Sequence, residues 1–323
     1  MLQLFLIDGE ILRQTTATGP DDLRAPACLW VDAVAPDAQE LAWLREVHGI
    51  NPEAAEEDAD IEFSARAYEE GGAVYLRSDF ISGRQQDYDV VPAKLVLKGE
   101  TLISLHDEDV PILRLLRLLR LRLRNRPAPP GGAVGLLIEI YARDVEYTAD
   151  ALEDIHAELK DIGASVLAER RGTDEEAAEF IARLTLQEAR NGTLRRNLMD
   201  TRRALSFLAR ERLLDKGQGK VLQQVLQDIE SLLSHTAFVF DKINFLMDAI
   251  VGFININQNK VVKIFSVAAV AMLPPTLIAS IYGMNFEYMP ELSQKWGYPM
   301  SLALMVVSVA LPFWYFRRKG WLK

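Results

Sequence analysis

Apolar and polar residues alternate in short runs through the first hundred positions of the chain, and then the period changes. The runs LQLFLID (2–8), CLWVDAV (28–34), AVYLRSDFIS (73–82), PAKLVLKG (92–99) and TLISLHD (101–107) carry the two-residue repeat of β-strands. Among them, DAQELAWLREVHG (37–49) has helical spacing, with Asp37 placed to cap its start. PAPPGG at 127–132 is a loop signal, so the pattern predicts an α/β domain over residues 1–130. Beyond it, stretches at roughly 133–170, 174–214 and 219 onward follow a 3.6-residue repeat, separated by RRGTD and DKGQG. Residues 131–218 thus read as a helical region. Leu222, Leu226, Ile229, Leu233, Ile243, Met247, Ile250 and Ile254 form an apolar stripe on the last helix. With Gly252 alone against it, that helix is predicted to run from 219 to 282, about 95 Å at 1.5 Å per residue. Its first part, 219–260, is a stalk that needs partner helices to cover the stripe.

Two segments lack charge altogether: IFSVAAVAMLPPTLIASIY (264–282) and YPMSLALMVVSVALPFWYF (298–316). Each is long enough to cross a bilayer core as a helix, and uncharged stretches of this length are rare in soluble hairpins. The expected spans are 261–282 and 298–317, with a loop at 283–297 and a basic tail at 318–323. Arg317, Arg318, Lys319 and Lys323 follow the second span, whereas the loop holds only Lys295. The positive-inside rule therefore puts the tail, and with it the amino-terminal domain, in the cytoplasm. MLQLFLIDGE has no basic leader and no cleavage site, so it reads as a strand rather than a signal peptide. Tyr282, Phe286, Tyr288, Trp296 and Tyr298 at one boundary, and Trp314, Tyr315 and Trp321 at the other, suit interfacial anchoring. The predicted fold class is an α+β membrane protein: a cytoplasmic α/β domain and a long helical stalk continuous with the first of two transmembrane helices.

Charge narrows the partners. Of 46 acidic residues only Glu287 and Glu291 lie beyond 260, as do six of the 36 basic ones, which leaves 44 against 30 and a charge of −14 in the first 260 residues. That balance disfavours nucleic acid and favours cations. The single Cys28 rules out an intrachain disulfide, and the four histidines have no ligand spacing. RLLRLLRLRLRNR (114–126) carries six arginines that could touch lipid or nucleic acid. Within an acidic domain it reads better as the solvated face of an amphipathic helix whose leucines cover the sheet.

The other side of the long helix is different in kind. Alternating steps of four and three from Asp241 visit Phe245, Asp248, Gly252, Asn255, Asn259, Val262, Ser266, Ala269, Leu273, Thr276 and Ser280, and end at Gly283. All but Phe245, Val262 and Leu273 are small or polar. A 3.5-residue repeat keeps one face toward a common axis, so in a symmetric bundle this seam looks inward. Small-residue packing accounts for Ser266, Ala269 and Ser280, but carboxylates and amides make better sense lining water. Pro274 and Pro275 remove amide donors, leaving carbonyls near Val270 and Ala271 for neighbouring helices or pore water to satisfy. Gly283 stands where a left-handed helix cap is expected. The helix end turns its negative dipole pole outward, about half an elementary charge per chain.

YGMNFEYMPEL (282–292), preceded by PPT and followed by a second span and a basic tail, resembles the CorA family of magnesium transporters. FININQNK (253–260) and IESLL (229–233) resemble its proteobacterial members. The resemblance implies a homopentamer in a bacterial inner membrane, with one central pore lined by the first spans. It implies an ion-binding ring at Gly283, Met284 and Asn285, with Glu287 and Glu291 drawing cations to the mouth. Thr276 and Asn259 become pore positions, and Val262 and Leu273 hydrophobic constrictions. Because Mg2+ releases water reluctantly, a neutral ring of amide oxygens would select the hydrated ion without trapping it. The family is also inhibited by cytoplasmic Mg2+, for which Glu56, Glu57, Asp58, Asp60, Asp241 and Asp248 are candidate ligands.

Three other readings compete. A zinc-transporting branch usually departs from Gly-Met-Asn at the middle residue, and a zinc path would suit thiolate or imidazole ligands that are absent here. A membrane-anchored cation sensor or scaffold would not need the polar seam. An enzyme is disfavoured because GxxxxGK[ST], HExxH and GxSxG are all missing, and DKGQGK lacks phosphate-loop spacing, so no nucleotide is expected. Transport then runs downhill: a divalent cation entering a negative interior gains about 4.6 kcal/mol per 100 mV. Co2+ and Ni2+ are expected secondary ions.

Overall fold

The computed structural model describes residues 1–8, 11–25, 27–51, 66–83, 88–122, 131–168, 174–210, 214–284 and 289–321. The amino-terminal alternation becomes one seven-stranded sheet: β1 (Leu2–Asp8), β2 (Ile11–Thr16), β3 (Cys28–Val34), β4 (Ala67–Glu70), β5 (Ala73–Ser82), β6 (Asp89–Lys98) and β7 (Thr101–His106). Their order is β2-β1-β3-β7-β6-β5-β4, antiparallel except where β3 pairs in parallel with β7. The five runs picked out by alternation are all strands. ILRQTT and AYEE are strands that alternation did not mark, and they lie at the two edges, where one neighbour suffices to fix a short polar strand.

β3 is buried at its first six positions because both faces of the sheet are covered. On one face Leu2, Leu4, Val31, Ala33 and Ile103 pack with Leu23 of α1 (Pro20–Leu23) and Leu44 of α2 (Ala38–His48). Asp37 caps α2 as expected: its Oδ1 accepts from the amides of Gln39 and Glu40 at 2.9 and 2.8 Å, and Glu40 Oε2 accepts from the Asp37 amide at 3.0 Å. The opposite face carries Phe5, Trp30, Phe80 and Leu95. Covering it are Leu113 and Leu116 of α3 (Pro111–Arg122), Leu136 and Tyr141 of α4 (Gly132–Ala168), Leu198 and Leu205 of α5 (Asp174–Arg210), and Leu222 and Ile229 of α6 (Lys216–Tyr282).

Leu113 and Leu116 of α3 cover the sheet, yet Arg117 is not simply solvated. Arg117 is 11% exposed, with Nη1 2.9 Å from Asp32 Oδ2, and it also pairs with Asp109. Asp32 Oδ1 in turn accepts from Ser104 Oγ at 2.6 Å and lies 2.9 Å from His106 Nε2, while Trp30 Nε1 donates to Ser104 Oγ at 2.8 Å. A carboxylate sunk in an interior strand has to be paired, and Arg117 supplies the charge.

DKGQG, read as an interruption, is in fact the start of α6. Asp215 Oδ1 accepts from the amides of Gly217 and Gln218 at 2.6 and 2.8 Å, and Gln218 Oε1 accepts from the Asp215 amide at 2.9 Å. This reciprocal cap outweighs the two glycines, and the helix begins at Lys216, ahead of the expected 219.

Asp144 on α4 is fully buried. Its Oδ2 accepts from Thr201 Oγ1 at 3.3 Å, and Oδ1 meets no hydrogen-bond partner. Burial pushes its carboxyl up to about 7, with hydrogen bonds from Asn197 and Thr201 pulling the other way. A carboxyl raised in the folded state contributes most stability below its ordinary pKa, and that contribution is lost as pH climbs from about 4 to about 7. The interval from 3.8 to about 7, at 1.36 kcal/mol per pH unit, is about 4 kcal/mol. Asp144→Asn is therefore expected to raise the melting temperature at pH 8 while changing little at pH 4. Parallel melting curves for parent and variant across that range would assign the pH dependence elsewhere.

The chain divides into two compact units. The first, Met1–Ser165 with Ala182–Phe245, contains the sheet and the helices packed on it. The second, Val166–Ile181 with Leu246–Lys323, contains the ends of α4 and α5, the carboxyl-terminal part of α6, a 3-10 turn at Pro290–Ser293, and α7 (Gly297–Arg318). α6 and α7 are both long and apolar enough to cross a membrane.

Candidate functional site

The predicted stripe and the predicted seam fall on opposite sides of α6. Leu222, Ile229, Ile243 and Ile250 of the stripe are buried, with Leu226, Leu233, Met247 and Ile254 partly so. Further along, the buried positions of the spans among the described residues are Val267 and Ala271 on α6 and Ser301 on α7. At about 100° per residue, Val267 and Ala271 lie roughly 160° around the helix from the mean direction of Ser266, Ala269, Leu273, Thr276 and Ser280.

Every seam residue from Asp241 to Gly283 is exposed in the single chain except Gly252, which is half-buried. Asp241, Asp248, Asn255, Asn259, Ser266, Ala269, Thr276 and Ser280 thus share one open face with the bulkier Val262 and Leu273, 60% and 68% exposed. The lipid-type residues Phe265 and Met272 are equally open, so exposure alone does not set the seam apart. Its chemistry does. Ser266 Oγ donates to Val262 O and Thr276 Oγ1 to Met272 O, each at 2.8 Å. With its proton spent on its own helix, each hydroxyl offers only lone pairs to whatever faces it, the polarity a cation requires. The sequence identified these residues, but the direction of their hydrogens follows from helix geometry.

The end of α6 departs from expectation at one point. Gly283 does not adopt a left-handed φ. Its amide donates to Ala279 O at 2.9 Å and the Met284 amide to Ile281 O at 3.2 Å, so the last carbonyls are satisfied by a tightened 3-10-type turn. A Cβ at Gly283 would stand 3.1 Å from Ala279 O, which gives the glycine a steric reason instead of a torsional one. Met284 and Glu291 are exposed, Glu291 within the 3-10 turn. Asn285 and Glu287 lie outside the described residues, as do Glu56, Glu57, Asp58 and Asp60. Among the described residues no three His, Cys, Asp or Glu side chains converge, at Asp241 and Asp248 or elsewhere. At the other end of α7, Arg318 lies 5.5 Å from the Trp314 ring centre and Lys319 5.8 Å from that of Tyr315, an arrangement suited to a polar–apolar boundary.

The family model described as CorA-like Mg2+ transporter protein matches residues 27–318. The chain belongs to the CorA family. The magnesium transport protein CorA of Pasteurella multocida is 40% identical over 298 residues, 92% of each chain. That of Pectobacterium atrosepticum is 38% identical over 323 residues, the whole of both. In fold, the complete structure of the CorA magnesium transporter from Methanocaldococcus jannaschii superposes with a TM-score of 0.83 at 21% identity, covering 99% of this chain and 98% of that one. CorA membership and the two spans make the chain a membrane protein of a transporter family. In a CorA protein, the helix that carries the seam is the first of two membrane helices.

Proposed function

We propose that this chain is a channel-like Mg2+ transporter, working as a homopentamer whose five α6 seams line one pore. The observation that carries this reading is a polar face on a membrane-length helix, directly opposite the face that is packed. A helix serving only as an anchor gains nothing from carboxylate, amide and hydroxyl groups along one edge. Residues 1–130 and 131–218 form the cytoplasmic part, 219–260 the stalk, 261–282 and 298–317 the spans, and 283–297 the outer loop. The membrane is the bacterial inner membrane, with both termini cytoplasmic in keeping with Arg317, Arg318 and Lys319 after the second span.

Hydrated Mg2+ meets the ring of Asn285 amides at the mouth, drawn there by Glu287, Glu291 and the five helix dipole ends. It then descends past Ser280, Thr276, Ala269 and Ser266, where the hydroxyl oxygens accept hydrogen bonds from its water shell. Leu273 and Val262 narrow the path with apolar collars that empty of water in the closed state. Asn259, Asn255, Asp248 and Asp241 receive the ion on the inner side. The membrane potential drives entry, and Co2+ and Ni2+ follow the same path. Internal Mg2+ closes the pore through carboxylates of the stalk and the amino-terminal domain. Zinc as the main cargo is disfavoured, since relatives at 38–40% identity are magnesium transport proteins.

Reconstituted in liposomes with a negative interior, the protein is expected to take up Mg2+, and Co2+ and Ni2+ more slowly. Single cysteines at 266, 269 and 276 are expected to react with a water-borne thiol reagent from the pore, and cysteines at 267 and 271 to stay unmodified. The native thiol does not interfere: Cys28 is buried and burial pushes its pKa up to about 11. Zn2+ uptake without Mg2+ uptake would favour the zinc reading, and labelling at 267 and 271 in preference to the seam would refute the pore.

A further inference from the structure

Within the first unit, and away from the seam residues, α4 and α6 bring two imidazoles together. His156 on α4 and His235 on α6 have ring centroids 5.9 Å apart, with the Phe238 ring 6.4 and 6.1 Å from them. They stand 79 positions apart in the chain, so no spacing rule could have paired them. Both are half-buried. His156 Nδ1 is sealed from solvent and has no hydrogen-bond partner. A nitrogen in that state gains a partner when an ion or water arrives, and a ring flip or a small χ rotation can exchange which edge it presents.

We infer that His156 and His235 form a two-histidine site for a divalent transition-metal ion, completed by water, that ties α4 to α6. Metal–nitrogen bonds of about 2.0–2.1 Å at a tetrahedral angle put two imidazole centroids about 5 Å apart, so a closing movement of about 1 Å suffices. Imidazole ligation suits Ni2+, Cu2+ and Zn2+ and disfavours Mg2+, which separates this site from an oxygen-lined path. Ligation needs neutral rings. His156 is held below the ordinary histidine range by its loss of solvent and by the nearby Lys242, His235 and Lys160, so it is neutral at pH 7.5. The same two lysines repel a dication and keep the site weaker than one without them. Among the described residues no third histidine, cysteine or carboxylate joins the pair, which points to an exchangeable ion rather than a structural one.

The test uses the full-length protein in detergent, with any purification tag removed and saturating Mg2+ present, titrated with Ni2+ by calorimetry at pH 7.5. His156→Asn and His235→Asn are each expected to weaken Ni2+ binding at least ~10-fold, leaving Mg2+-dependent thermal stabilisation as in the parent. Lys242→Ala is expected to tighten it. Unchanged Ni2+ titrations in both histidine variants would overturn the site. A measurement independent of the variants' folding is electron paramagnetic resonance of the parent protein loaded with Cu2+. Hyperfine coupling to imidazole nitrogen is expected, and a spectrum with oxygen ligands alone would also overturn the site.

Discussion

Asn285→Ala is expected to abolish Mg2+ uptake into proteoliposomes while the protein still assembles and inserts. In the proposed pore the amide oxygen at the mouth accepts hydrogen bonds from the water shell of a dication, and hydrogen bonds of this charge-assisted kind contribute about 1.5–3 kcal/mol each. Alanine removes one from every subunit at once. Losing only two such contacts raises the entry barrier by about 3 kcal/mol or more, at least ~100-fold in rate. Asn285→Gln keeps the group but displaces it by a methylene and should fall between the two. Near-parental flux in the alanine variant, with assembly unchanged by size-exclusion chromatography, would remove Asn285 from the selectivity role. Gly283 is expected to tolerate substitution poorly, because a side chain there meets Ala279 O at 3.1 Å and shifts the turn that leads to Asn285.

Neutralising Asp241 and Asp248 to asparagine, together with Glu56, Glu57, Asp58 and Asp60 to their amides, is expected to leave the channel open at internal Mg2+ concentrations that close the parent. Moving a gate from mostly open to mostly closed takes about 5.5 kcal/mol of differential binding, and only groups that hold the ion better in one state can supply it. Asp241 and Asp248 are two turns apart on one exposed face of α6, in a chain where no third acidic group, among the described residues, completes a site. On the proposed reading the missing ligands come from a neighbouring copy or from the 56–60 run, which would couple ion binding to subunit arrangement. A shift of at least ~10-fold in the half-inhibitory Mg2+ concentration is the expected reading, measured with Mg2+ fixed inside the liposomes. Identical inhibition in parent and sextuple variant would locate the sensor elsewhere. Because Asn285 lies outside the substituted set, a full loss of flux in the sextuple variant would instead count against assembly.

Much of the site was legible because a helix is a local object. Hydrogen bonding four residues apart sets the 3.6-residue period, and that period alone separates the Leu222–Ile254 stripe from the Asp241–Ser280 seam. The two spans were legible for a related reason: a bilayer core has no water to solvate a backbone or a charge, so length and missing charge identify the segments. Asp37 as a cap belongs to the same class. The failures are equally physical. DKGQG was read by glycine propensity, but a capping pair between Asp215 and Gln218 reversed it. The left-handed turn expected at Gly283 gave way to a 3-10 closure because the carbonyls found donors without it.

By itself, then, the sequence determined which segments are strands in the sheet interior, where the membrane helices lie, and which edge of the long helix is polar. It also carried the Gly283–Met284–Asn285 triplet on which the resemblance to the CorA family rests. Only the tertiary structure decided the order of the strands, the two polar edge strands, and the pairing of Asp32 with His106 and Arg117. The same holds for the burial of Asp144 between α4 and α5 and the meeting of His156 with His235. Those contacts join residues tens of positions apart. Their energies depend on desolvation and on which partners the packing brings within about 3 Å, and neither leaves a periodic trace along the chain.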